Sequence, residues 1–191
     1  MTSKVNRRLL AHDLAIERHA GQLYGNQPYV VHLEAVFRAA MVFLNDEDTE
    51  VAAFLHDTLE DTETSRDELA SRFGPVVADM VWAVTGVGKN RRERWASKVP
   101  KILGTPKALG LFLCDRYANA AHSRRWDAGL FEMYAREWPK VRDAFYGSTA
   151  DHERYEPLWD ALFTLFEPGA GPRHDGTSRG WLAQWDKARA R

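Results

Sequence analysis

Three things are scarce in this sequence, and each scarcity removes a class of protein from consideration. There is a single cysteine, Cys114, so neither an intramolecular disulfide nor a cysteine-rich zinc site can form. It lies in the apolar run Leu111-Phe112-Leu113-Cys114, where a small buried hydrophobe is expected in place of a reactive thiol. Charge of one sign is scarce too: 26 Lys and Arg stand against 27 Asp and Glu, a formal net charge of −1. Bulk nucleic-acid binding calls for a basic excess and is excluded, whereas a local basic pocket for a small phosphorylated ligand is not. Long hydrophobic runs are missing as well. No apolar stretch approaches the length of a membrane span, and Met1-Thr2-Ser3-Lys4 opens no apolar signal region, so a soluble cytoplasmic protein is expected.

What the sequence does hold is material for a core: 45% of its 191 residues are hydrophobic, which suits one domain. The apolar spacing is helical nearly throughout, with no convincing alternating strand, and the expected architecture is an all-α helical bundle. Helices are expected over residues 4–20 and 29–44, with a turn-rich loop over 21–28 between them. The acidic stretch Asn45-Asp46-Glu47-Asp48 supplies caps to a third helix over 49–61. Ser65-Arg66-Asp67-Glu68 has the capping-box form and starts a helix that stops at Gly74; Pro75 suits the first turn of the next, over 75–84. Residues 86–104, with two early glycines and many Lys and Arg, read as a loop around a short helix. Further helices are expected over 106–125, 130–146 and 152–166. The chain thus divides into one domain, 1–167, and a Gly- and Pro-rich linker with a short terminal helix, 168–191.

The chemistry gathers in Phe54-Leu55-His56-Asp57-Thr58-Leu59-Glu60-Asp61. On a helix His56 and Glu60 lie four apart, as do Asp57 and Asp61, so all four project from one side beside an apolar stripe. Such a group is costly unless a divalent cation compensates it, and imidazole with carboxylate suits Mn, Fe or Zn. Two distant residues can complete the shell. His32 stands early in the second helix, in Pro28-Tyr29-Val30-Val31-His32. Asp115 stands midway along the long apolar helix, where an acid flanked by Leu, Phe, Leu and Cys must be paired or bind metal. Asn119, one turn on, shares its face and can orient a ligand or a water. Taken singly, each has a plainer reading: His32 as a hydrogen-bonded histidine, His56-Asp57 as a chance pair, Asp115-Arg116 as a buried ion pair. Their conjunction points to a metal.

Other strings join this constellation: His19-Ala20-Gly21-Gln22, Phe73-Gly74-Pro75-Val76-Val77-Ala78, Val84-Thr85, Cys114-Asp115-Arg116-Tyr117-Ala118-Asn119 and Met133-Tyr134-Ala135-Arg136-Glu137. On these the chain resembles the HD-domain hydrolases of the RelA/SpoT type, especially their small stand-alone alarmone hydrolases. The extended form His56-Asp57-Thr58-Leu59-Glu60-Asp61 is far more specific than His-Asp alone. The resemblance implies the metal ligands His32, His56, Asp57 and Asp115, usually with Mn²⁺, with Fe²⁺, Zn²⁺ or Mg²⁺ as alternatives. It implies that Glu60 and Asp61 work beside the metal on the attacking water, and that the reaction removes the 3′-diphosphate of (p)ppGpp or a related guanosine alarmone. The expected partner is a small phosphorylated nucleotide, with homo-oligomerisation left open.

The substrate pocket departs from the family pattern. Tyr24 stands nearest to the position of an Arg that stacks on guanine in the family; tyrosine can stack on a base but brings neither the cation nor the fork of donors. Leu33 follows His32 where the family has Pro, and the Lys before the metal-binding Asp is absent. Of the basic segment Lys89 to Lys101, Lys98 and Lys101 share a face at i,i+3 and are the expected phosphate contacts, the other charges forming a solvated face. His122, seven residues after Asp115, is expected to hydrogen-bond within the core. Two alternatives therefore stay open. One is a phosphatase for another nucleotide, such as a nucleoside monophosphate, (p)ppApp or NADPH. The other is a non-catalytic nucleotide-binding regulator.

Overall fold

Side-chain caps set five of the ten helix starts among the described residues. Asn6, Asp46, Ser65, Asn90 and Asp127 each accept a backbone N–H two or three residues on, from Arg8, Thr49, Glu68, Glu93 and Leu130, satisfying donors that a helix end leaves free. In the computed structural model, which describes residues 6–148 and 152–167, the order is α1 (Arg7–Arg18), β1 (Leu23–Tyr24), β2 (Gln27–Pro28), α2 (Val30–Phe43), α3 (Glu47–Leu55), α4 (Thr58–Asp61) and α5 (Arg66–Phe73). It continues with α6 (Pro75–Val84), α7 (Arg91–Gly104), α8 (Ala108–Trp126), α9 (Ala128–Phe145) and α10 (His152–Phe166). The all-α reading holds. The expected linker and terminal helix over 168–191 lie outside the described residues. No helix among the described residues is long and apolar enough to cross a membrane.

Helix α8 is the spine of the core. Every residue from Ala108 to Cys114 is buried, and the helix packs on α2, α3, α6, α7, α9 and α10. A helix apolar on all sides has no other stable place. Gly110 lets it be approached closely, because a Cβ there would lie 2.8 Å from Leu44 Cδ1 and 2.9 Å from Tyr155 Cε1. Side chains projecting from the middle of α8 are therefore fixed by packing on every flank.

Three expectations need correction. The helix expected over 49–61 is interrupted at His56 and Asp57. There the His56 Nδ1–H donates to the Ala53 carbonyl and the Thr58 hydroxyl to the Leu55 carbonyl, taking acceptors that a continuing helix would offer to its own N–H groups. The short helix expected within a loop over 86–104 is longer than expected: α7 takes up Arg91–Gly104, with Pro100 inside it. Trp95, Val99 and Ile102 pack on the core from one face, and that burial outweighs the local propensity that argued for a loop. The loop over 21–28 contains a minimal antiparallel hairpin, with Leu23 opposite Pro28 and Tyr24 opposite Gln27; pairs of two residues carry no alternation to read.

The start of α8 is tied to the start of α3 by Lys107, which donates to Asp46 Oδ1 at 2.8 Å and Asp48 Oδ2 at 3.1 Å. Burial opposes charge on Asp46, but the bonds from Lys107 and Thr49 prevail and bring its pKa from 3.8 down to about 2. A depressed carboxylate stabilises the fold above its unfolded pKa and stops doing so as pH falls through the folded one. Asp46→Asn, which can still cap α3, is expected to lower stability near neutral pH by about 0.5–1 kcal/mol after solvent screening. The difference should shrink as pH falls from about 4 toward 2, as urea midpoints at neutral and acid pH would register.

Candidate metal centre and its cleft

His32 enters from the first turn of α2, His56 and Asp57 from the interruption between α3 and α4, and Asp115 from the middle of α8. His32 Nε2 lies 3.2 Å from His56 Nε2, 3.3 Å from Asp115 Oδ1 and 3.6 Å from Asp57 Oδ2. His56 Nε2 lies 2.9 Å from Asp57 Oδ2 and 3.5 Å from Asp115 Oδ1. The four residues anticipated from the sequence are thus brought together. The imidazoles are only 3% and 4% exposed, while the Asp57 and Asp115 side chains keep 23% and 29%, so the group opens to solvent on its carboxylate side.

The donor set suits a divalent ion. Such an ion, bound at ~2.1 Å by nitrogen and oxygen, holds its ligands roughly 3.0–3.4 Å apart, close to the spacings here. The His56 Nδ1–H donates to the Ala53 carbonyl at 2.9 Å, which leaves the Nε2 lone pair facing the group. His32 has no hydrogen-bond partner for its buried Nδ1 among the described residues. Lone-pair nitrogens and carboxylates this close repel one another unless positive charge lies between them, and His32, His56 and Asp57 form a group able to hold a metal ion. Protons answer the same demand. Burial works against charge on all four residues, yet mutual pairing wins; the Asp57 and Asp115 carboxyls sit below their usual range and the two imidazoles above theirs.

Two tyrosines brace the carboxylates. Tyr29, at the entry to α2, donates its hydroxyl to Asp57 Oδ2 at 2.6 Å. Asn119 donates to Asp115 Oδ1 at 2.6 Å and accepts from the Tyr24 hydroxyl at 2.9 Å. The Tyr24 ring stacks on His32 at 4.8 Å and lies 4.6 Å from the His122 ring. Sequence reasoning put Tyr24 and Asn119 at the substrate; here both are engaged beside Asp115. Tyr29 has no role evident in the sequence, where its one signal is a hydroxyl three residues before His32. Behind Tyr29, His19 stacks at 4.8 Å and holds Gln22 through Nδ1 at 2.8 Å, and Gln22 Nε2 donates to the Asp61 carbonyl at 3.1 Å. His122, expected within the core, lines a second small cleft with Tyr24, His32 and Trp126.

The main cleft, about 460 Å³, runs from Asp115, Asn119 and Glu60 past Arg94 and Lys98 to Arg116. Its cations outnumber its acids, since Arg91, Arg92, Arg94, Lys98, Arg116 and Lys140 face Glu60, Asp115 and Glu137. Lys98 and Arg94 both line this cleft. Lys101 is elsewhere: its Nζ donates to the carbonyls of Trp82 at 2.9 Å and Thr85 at 2.5 Å, closing the end of α6. Asp61 has its pKa raised by burial and by the nearby Asp57 and Glu60 charges.

Residues 11–104 match the family model described as HD domain. Over that segment the chain is similar to HD domains. Its match includes His32, His56, Asp57, Glu60 and Asp61, while Asp115 lies beyond it. Among curated relatives, a guanosine-3′,5′-bis(diphosphate) 3′-pyrophosphohydrolase of Aquifex aeolicus is 35% identical over 116 residues, 57% of this chain and 16% of that protein. The enzyme of that name called MESH1 in Danio rerio is 40% identical over 90 residues, 43% of this chain and 50% of that protein. The chain thus spans half or less of the length of these relatives. Among solved structures, one described as a metazoan ortholog of SpoT that hydrolyzes ppGpp superposes with a TM-score of 0.66 at 24% identity, over 83% of this chain and 97% of its own. That likeness is one of fold.

Tyr29→Phe and Asn119→Ala each remove a hydrogen bond that fixes a carboxylate of the HD centre. Each is expected to weaken binding of a divalent ion about 10- to 100-fold, measured by competition with a chelating dye.

Proposed function

We propose that this HD domain is a metal-dependent pyrophosphohydrolase that removes the 3′-diphosphate of (p)ppGpp or a related guanosine alarmone. The observation that carries this reading is the convergence of His32, His56, Asp57 and Asp115, the last of which lines a cleft rich in Arg and Lys. Those four residues would hold the ion, Mn²⁺ being the assignment that the family resemblance favours. When bound, a divalent ion lowers the pKa of a coordinated water and draws charge from phosphoryl oxygens.

The remaining work falls to side chains of this chain. Tyr29, Asn119 and, through Asn119, Tyr24 keep the two carboxylates in one orientation, so little rearrangement is needed when substrate arrives. Asp61, whose pKa is raised, is a better proton acceptor than an ordinary carboxylate, and with Glu60 it is assigned to the attacking water. Arg94 and Lys98 meet the phosphoryl oxygens that gain charge in the transition state. A second reading keeps the chemistry and changes the base. It is favoured by Tyr24, whose ring already covers His32 and whose hydroxyl is bound to Asn119, so the side chain nearest the family's base-stacking Arg is committed to the centre.

A panel of nucleotides incubated with the metal-loaded protein tests both readings. Turnover of ppGpp to GDP and pyrophosphate supports the first, and inertness toward it alongside turnover of another nucleotide supports the second. Asp57→Ala and Asp115→Ala are expected to lose metal content and at least 10³-fold in turnover (order of magnitude); retained activity in either would remove that residue from the centre. Glu60→Gln should lower kcat about 10²- to 10³-fold with metal content unchanged, measured by elemental analysis beside the kinetics.

A further inference from the structure

Glu60 does not stand free at the mouth of the cleft. Its Oε1 accepts from Arg94 Nη1 at 3.0 Å; its Oε2 accepts from the Gly86 N–H at 2.8 Å and has Lys98 Nζ at 3.5 Å. Both cations come from α7 and line the same wall as Asp115. A carboxylate therefore holds the two side chains that an entering phosphoryl group meets beside the centre. Arg94 cannot serve both fully. Its Nε donates to the Gly88 carbonyl at 3.3 Å and its Nη1 to Glu60, so a phosphate gripped through Nη1 and Nη2 competes with Glu60 for the same end of the guanidinium.

The frame behind these side chains is tight, which confines the change to them. A Cβ on Gly86 would lie 2.8 Å from both Arg94 Cβ and Lys98 Cε. The Val87 N–H donates to the Ser97 hydroxyl at 2.8 Å, and Lys101 holds the carbonyls of Trp82 and Thr85. The backbone after α6 is thus fastened against α7. The Arg94 side chain, by contrast, is 51% exposed and has room to turn.

We propose that Arg94 and Lys98 form an exchange clamp that holds Glu60 until a pyrophosphate group enters the cleft and takes both cations over, releasing the Glu60 carboxylate toward the attacking water. The clamp makes readiness of the base depend on arrival of the anion. It rests on the role given to Glu60 above, and its test needs no turnover.

The test is calorimetric titration of inorganic pyrophosphate into metal-loaded protein, for wild type, Glu60→Gln, the double variant Arg94→Gln/Lys98→Gln, and the triple variant. If Glu60 competes for the clamp, Glu60→Gln tightens pyrophosphate binding about 3- to 10-fold. The double variant weakens it, and adding Glu60→Gln to the double variant changes it less than about 2-fold. Equal tightening in both backgrounds would make Glu60 a general electrostatic influence and overturn the clamp, as would an unchanged affinity in Glu60→Gln alone. Arg94→Lys, which keeps the charge and loses the fork, should retain only part of the Glu60 effect; the full effect would overturn the two-pronged exchange. Loss of the proposed guanosine substrate with this cycle intact strikes the functional reading alone, and loss of the cycle with turnover intact strikes the clamp alone.

Discussion

Two imidazole nitrogens held 3.2 Å apart, with carboxylate oxygens between 2.9 and 3.6 Å from them, are an arrangement that needs positive charge among them. A chain left to itself would relax it by turning a side chain away. Here each escape is blocked: His56 by its bond to Ala53, Asp57 by Tyr29, Asp115 by Asn119, and His32 by the Tyr24 ring stacked on it. The core holds those partners in turn, because α8 is buried along its first half and α2 and α3 pack directly on it. Burial that would otherwise penalise four ionisable groups is what keeps the donor set assembled.

The break in the helix at His56 and Asp57 follows from the same demand. One continuous helix would spread His56, Asp57, Glu60 and Asp61 along a common side and leave their distances to the pitch. By ending α3 and restarting at Thr58, the chain turns His56 and Asp57 onto His32 and Asp115, and it sends Glu60 toward α7. The centre and the cleft thus become neighbours with separate staffing. His32, His56, Asp57 and Asp115 face one another, while Glu60, Arg94 and Lys98 line the cleft.

Much of this was legible in the residues because it is local or compositional. An Asp in the middle of an apolar helix announces a buried partner, and His-Asp followed by Glu-Asp narrows the chemistry. Less legible were features whose cause lies across the fold. Tyr29 gains its role only from an Asp57 that is 28 positions away. Lys98 and Lys101 look equivalent along one helix face, yet the C-terminal carbonyls of α6 capture Lys101 and leave Lys98 in the cleft. Residues 86–104 read as a loop around a short helix because of two early glycines and a dense run of Lys and Arg, and the burial of Trp95 and Ile102 that extends the helix is tertiary.

By itself, then, the sequence determined the class of fold, excluded an intramolecular disulfide and a cysteine-rich metal site, and singled out four residues that the fold brings together. Periodicity, composition and the cost of a buried charge act within a few turns of helix, and so they show in the order of residues. Tertiary structure alone decided how those residues face one another, which tyrosine braces which carboxylate, and that Glu60 lies in the grip of Arg94 and Lys98. Those outcomes depend on distances of a few ångströms between segments far apart in the chain. Such distances are set by the packing of whole helices around α8, and no local pattern encodes them.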